Sequence, residues 1–207
     1  VSMQVQHAIG ADIIFAFDEC TTLMNTREYQ LTAMRRTQQW AQRCIDEHQR
    51  LTIDRAEKPR QMILGVVQGA HYEDLRRQAA REIGELDFDG FGIGGALDKE
   101  TLGTIIGWVV DELPEGKPRH LLGIGEPLDL FVGAENGADT FDCVAPTRNA
   151  RNSALLTVEG RFNVSNAYSR GNSDPIDHEC DCYTCVNYSQ GYLHHADKAN
   201  ELIFPTL

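Results

Sequence analysis

The chain has 207 residues, 42% hydrophobic and 24% charged, a balance that supports one substantial core and excludes a disordered or low-complexity protein. A net charge of −12 and a pI near 4.9 argue against general nucleic-acid binding, which depends on cations that neutralise phosphate. No apolar run approaches the roughly 18 to 20 residues that cross a bilayer, and the opening VSMQVQHAIGAD lacks the pattern of a secretory leader, so a soluble cytoplasmic protein without membrane contact is expected.

Strand-like and helical periodicities alternate along the chain. DIIFAFD (12–18) reads as a buried strand, and the run 27–51 carries Leu31, Met34, Ala41 and Ile45 on one helical face. QMILGVVQG (61–69) is a strand and YEDLRRQAAREIGEL (72–86) a helix. FDGFGIGG (88–95) is a third strand, followed by Leu102, Ile105, Ile106, Val109, Val110 and Leu113 at the three/four spacing of a helix. RHLLGIG and EPLDLFVGAENG repeat the pair, and DTFDCV (139–144) closes the series. Five strands with four intervening helices imply parallel pairing, hence an open α/β sheet or part of a (β/α)8 barrel. After Pro146 the pattern changes: residues 154–166 read as a hairpin turning at Glu159-Gly160, followed by a Pro/Gly/Asp-rich loop and a cysteine cluster.

In parallel α/β folds ligands sit at the carboxyl ends of the strands, so Asp18, Gln68, Gly95 and Asp142 are expected to ring one pocket. A carboxylate at the position of Asp142 suits a nucleophile or base, or a turn cap. Glu19 shares that ambiguity with Asp18. Gly90, Gly92 and Gly95 match Gly-x-Gly-x-x-Gly only superficially, because they lie within the third strand and not in the turn that opens a first helix. Arg148 and Arg151 form a local basic feature that suits phosphates or guanine edges, or an ordinary charged surface.

Cys180, Cys182 and Cys185, in CDCYTC, are the strongest local signal. Three thiolates at this spacing suit Zn2+, with buried or redox-active thiols as the alternative. His194 and His195 follow as candidate fourth ligands or as packing residues. His120 is the one histidine near a strand end, too little to suggest an unrelated zinc hydrolase.

The segments FDEC, GVVQG, IGG, LLGIG, FDCVAPTRNARN and CDCYTCVNYSQGYLHH, in this order, resemble the bacterial tRNA-guanine transglycosylases, or queuine tRNA-ribosyltransferases, over essentially the whole chain. The resemblance implies a partial TIM barrel of about five βα units over residues 1–150 and a hairpin and zinc-binding subdomain over 151–207. It implies exchange of the wobble guanine of certain tRNAs for 7-aminomethyl-7-deazaguanine through a covalent ribosyl-aspartate on Asp142. Asp18, Cys20, Gln68, Gly95, Glu100 and Leu122 would then bind the purine-like base, Arg148 and Arg151 the anticodon loop, and Cys180, Cys182 and Cys185 the Zn2+. A homodimer is the implied assembly. Ala96 stands where many relatives have Leu.

The family's early Asp-Ser-Gly-Gly segment, with its acid/base aspartate, has no counterpart here, and its fourth zinc ligand, a histidine, would lie beyond Leu207. A fragment of a longer enzyme is therefore expected, inactive or nearly so by itself, with water, His194, His195 or a neighbour's side chain completing the metal. The competing function is a non-catalytic tRNA- or partner-binding subunit of the same fold, which could tolerate the loss of Asp142.

Overall fold

The computed structural model describes residues 1–55 and 57–207, which form two compact units, Val1–Cys143 and Val144–Leu207. In the first unit, helix α1 (Ser2–Ile9) ends at Gly10, whose left-handed φ of 81° lets its N–H return to the Gln6 carbonyl. Strand β1 (Ile13–Phe15) follows, then the long helix α2 (Arg27–Asp54). The Thr26 side chain caps α2 by accepting from Tyr29 N–H, and Met34, Ala41 and Ile45 are buried along its inner face. The pattern continues with β2 (Met62–Val67), α3 (Glu73–Gly84), β3 (Gly90–Ile93), α4 (Leu102–Val110), β4 (Arg119–Leu121), α5 (Pro127–Glu135) and β5 (Thr140–Phe141). Glu73 and Asp74 place negative charge at the electropositive start of α3, and Pro127 opens α5 where its missing N–H costs nothing.

All five strands run parallel, in the order β1-β2-β3-β4-β5. A doubly wound sheet reverses its strand order at a switch point; this one never does. With right-handed crossovers every helix then falls on one face, and the sheet curls as half a barrel. The register pairs Ile13 with Met62, Leu64 with Gly90, Phe91 with Arg119 and His120 with Thr140, which keeps the carboxyl ends of neighbouring strands close together. The core between sheet and helices includes Ile63, Val67, Phe88, Phe91, Ile93, Ile106 and Leu121.

The second unit contains the short helix α6 (Ala145–Arg151), then an antiparallel hairpin of β6 (Ala154–Thr157) and β7 (Gly160–Asn163), which turns over Val158 and Glu159. α6 was not apparent from the sequence; Pro146 sits in its first turn. A one-turn helix α7 (Tyr183–Asn187) and α8 (Gln190–Lys198) complete the unit. Its own small core joins Val164, Leu193, Ala196 and Phe204, with Leu155, Phe162 and Tyr188 against them.

Gly65 in β2 is where α3 and the following loop come closest to the sheet. A methyl group there would stand 2.5 Å from Phe88 Cδ2 and 2.8 Å from Ile83 Cγ2, and both side chains are fully buried with nowhere to move. Gly65→Ala is therefore expected to destabilise the chain by roughly 1–3 kcal/mol through overpacking. Urea unfolding measures this, and an unchanged midpoint would contradict the packing described.

Candidate functional site

The strand ends carry a connected set of side chains. Asp18 lies three residues past β1, and Gln68 directly follows β2; Gln68 Nε2 donates to Asp18 Oδ2 at 2.6 Å. Burial lifts the pKa of Asp18 above the ordinary carboxylate value, and the hydrogen bond from Gln68 works against that rise. Its neighbour Glu19 faces elsewhere, accepting from Arg36 and from the Tyr29 hydroxyl on α2. The two neighbouring acids thus have separate partners.

Gly94 and Gly95 follow β3. A Cβ on Gly94 would meet Gln68 Nε2 at 2.7 Å, so the amide occupies space that only glycine leaves free. Gly95 has a φ of +98°, and a Cβ on it would stand 2.9 Å from Gln68 Oε1 and 3.1 Å from Arg76 Nη2. Those two atoms are buried without hydrogen-bond partners among the described residues, an acceptor and a donor flanking the Gly95 backbone. Cys20 completes this corner. Its thiol donates to the Thr21 carbonyl at 3.8 Å; burial, with the Asp18 charge second, pushes its pKa up, and the Gly95 backbone works against that rise.

Arg76, on the inner face of α3, was read from the sequence only as part of a helical run. It is fully buried, and no carboxylate faces it among the described residues. Its Nε donates to the Ala70 carbonyl at 2.7 Å, and Nη1 donates to the carbonyls of Gly94 at 2.7 Å and Val67 at 3.1 Å. Desolvation brings its pKa down to about 10, which still leaves it charged at neutral pH. The available signal was its place in a stripe otherwise made of Leu75, Ala79, Ala80 and Ile83.

At the other end of the row, Leu122 and Gly123 follow β4, and Asp142 follows β5. Leu122 Cδ1 would touch a Cβ on Gly92 at 3.0 Å and one on Gly94 at 3.5 Å, so it lies along the glycines of β3. Asp142 Oδ1 accepts from the Gly123 N–H at 2.9 Å and is 3.0 Å from His120 Nε2. Its side chain remains 59% exposed. The His120 ring packs on Phe15 with centroids 5.3 Å apart, and Phe15 in turn fills space left by Gly92. A continuous path of contacts therefore runs from Asp142 through His120, Phe15, the β3 glycines and Leu122 to Gln68 and Asp18. Glu100 lies apart from it, exposed in the turn after β3 that Asp98 closes by accepting from Thr101.

In the second unit, Arg148 and Arg151 lie exposed on α6, and neither has an ion-pair partner among the described residues. The sulfurs of Cys180, Cys182 and Cys185 all fall within 4.8 Å of one another. Cys182 caps α7, accepting from Cys185 N–H at 3.5 Å, and that backbone donor lowers its pKa. Cys185 is pushed up to about 11, by burial first and by its sulfur neighbours after that. Three sulfurs this close cannot all ionise alone, whereas a thiophilic dication would deprotonate them together; the donor set fits a tetrahedral metal such as zinc. His194 does not join them: it is buried, with Nδ1 on the Val164 carbonyl at 2.8 Å, and the metal-capable group among the described residues holds the three cysteines alone.

Residues 1–207 match the queuine tRNA-ribosyltransferase family, and the chain belongs to it. It is 44% identical over 205 residues to the queuine tRNA-ribosyltransferase of Shewanella sp. (strain ANA-3), covering 98% of this chain and 53% of that protein. The Shewanella halifaxensis protein of the same name is 43% identical over 98% of the chain, and the Bacillus subtilis one 43% over 97%. The chain spans about half the length of these relatives.

The environment of Asp18 has a measurable cost. With its folded-state pKa raised, the folded chain holds more protons than the unfolded chain between the two values, so stability falls as pH rises through that window. Asp18→Asn keeps an acceptor for Gln68 and removes the charge. It is expected to unfold at higher urea than the parent at pH 7, with the gap closing below the ordinary carboxylate value of 3.8. Equal midpoints at pH 7 would contradict the burial argument.

Proposed function

We propose that this chain carries the nucleophile and the base-recognition half of a tRNA-guanine transglycosylase. In this reading a wobble guanine is exchanged for 7-aminomethyl-7-deazaguanine. The observation that supports it best is the single row of contacts linking an exposed, hydrogen-bonded carboxylate at Asp142 to the half-buried Asp18 and the buried Gln68 bonded to it. A nucleophile has to reach a sugar carbon, and so must stay accessible. A group that reads a base edge works best when desolvated, because a wrong base then leaves it unpaired.

Asp142 attacks the ribose C1′, the C1′–N9 bond breaks, and guanine leaves with the electron pair. The ribosyl ester remains until the incoming base displaces Asp142 from C1′. Two inversions retain the sugar configuration, as in a retaining glycosidase with a base in place of water. Asp18 accepts from the N1–H and N2–H groups of the purine. The Gly95 N–H takes its carbonyl oxygen, and Gln68, whose Nε2 is engaged by Asp18, offers Oε1 to an N–H of the base edge. Leu122 offers an apolar face for the ring, and Cys20 borders it. Glu100, exposed in the turn after β3 and apart from the row, would have to move toward it to sense the aminomethyl substituent.

Arg148 and Arg151 contact the anticodon loop, whose unpaired bases can be splayed out toward a protein. Cys180, Cys182 and Cys185 hold Zn2+ as a structural ion that ties the loop before α7 to its helix. The exposed Tyr183, Val186 and Tyr192 beside them suit a homodimer contact. The working compartment is the cytoplasm.

Two outcomes check this. In a protein built out to the full length of the relatives, Asp142→Asn is expected to abolish a denaturation-resistant adduct with tRNA while leaving tRNA binding in place; an undiminished adduct would assign the nucleophile elsewhere. Metal analysis of the freshly reduced chain is expected to give about one zinc per chain, lost in a Cys182→Ser variant. A zinc-free chain with three reactive thiols would rule out the metal assignment.

A further inference from the structure

Asp142 and Thr140 bracket the two ring nitrogens of His120. An ionised carboxylate only accepts hydrogen bonds, so the 3.0 Å contact with Asp142 Oδ1 requires the proton on Nε2. A ring carrying its single proton there offers Nδ1 as an acceptor to the Thr140 hydroxyl, 2.8 Å away. Thr140 lies directly across the β4–β5 register from His120, so the hydroxyl is held in place by the sheet itself. Phe15 packs at a 54° tilt on the ring and sets its plane. The imidazole side chain is only 14% exposed, so it sits in the wall of the site and not on the open surface.

We propose that His120 is a positioning residue that selects the attacking oxygen of Asp142. Oδ1 receives two donors, His120 Nε2–H and Gly123 N–H, and these fix the carboxylate plane. Oδ2 is left as the oxygen that bonds C1′. In the ester, Oδ1 becomes the carbonyl oxygen and keeps both donors. When the incoming base breaks the Oδ2–C1′ bond, the electron pair returns to the carboxylate, and the two donors stabilise the charge that reappears. One pair of hydrogen bonds thus orients the nucleophile in the first displacement and assists its departure in the second. The inference rests on the reading of Asp142 as nucleophile and adds to it a residue that touches neither base nor sugar.

Three variants test it in a protein of the relatives' full length, with an anticodon stem-loop RNA as the probe. His120→Phe keeps a ring against Phe15 and removes the donor. His120→Gln restores an N–H near the position of Nε2, and Thr140→Val removes the group that fixes the tautomer. Single-turnover adduct formation is expected to slow by on the order of 10- to 100-fold in His120→Phe, with KM for RNA changed less than about threefold, and to recover to within about fivefold in His120→Gln. Long-range 15N–1H spectra of the 207-residue chain are expected to show His120 as the neutral Nε2–H form, and as a tautomer mixture in Thr140→Val.

An adduct that forms equally fast in His120→Phe, or equally slowly in Phe and Gln variants, overturns the proposal and leaves Asp142 as nucleophile. An Nδ1–H tautomer in the parent chain overturns it as well. A parent protein that forms no adduct overturns both.

Discussion

A guanidinium buried without a carboxylate keeps its charge only where backbone dipoles replace the water it has lost, and Arg76 meets that condition with three carbonyls from two strand ends. By donating to Val67, Ala70 and Gly94 it ties the end of β2 to the end of β3 at the height where Gln68 and Gly95 must meet a ligand. The parallel register brings the strand ends near one another; this side chain fixes their last residues. An arginine with an uncompensated donor is an expensive way to hold a fold together, since a well-packed apolar residue would cost less. Its retention is understandable if the Gly95 turn, with its positive φ, has to be held in one conformation.

The two carboxylates at opposite ends of the row sit in contrasting environments. Asp18 is desolvated, its pKa raised, and it is held by an amide that cannot supply charge. Asp142 is exposed, fixed at one oxygen by a backbone N–H and an imidazole, and open at the other. In the proposed reaction, discrimination goes with the first setting and attack with the second. Glycine makes this possible: Gly92 and Gly94 leave room for Phe15, Leu122 and Gln68 to lie against a bare strand, and larger residues there would push the two ends of the row apart.

Elements whose buried face repeats at one period were legible in the sequence. The β2 run and the α2, α3 and α4 stripes follow directly from periodicity, and the carboxyl-end rule gathers Asp18, Gln68, Gly95 and Asp142 without reference to any structure. α6 was not legible, because seven residues rich in Arg and Asn carry no apolar stripe. Arg76 was hidden by its charge, which reads as surface until its neighbours are known to be buried. His120 was read only as a lone histidine near a strand end. One-residue offsets between adjacent strands decide whether such a group faces the next carboxylate, and sequence periodicity does not carry that register. The three cysteines were plain from spacing alone, whereas the absence of His194 from their group among the described residues is a matter of distance, which no local pattern reveals.

The central claim is that one carboxylate at the end of β5 bonds to a ribose carbon. Peptide mapping by mass spectrometry of a nuclease-trimmed, acid-quenched mixture with an anticodon stem-loop RNA tests it most directly. The account predicts a ribonucleotide remnant on the peptide containing Asp142 and on no other. A remnant on a different acidic residue, or none while guanine is still being exchanged, would contradict it.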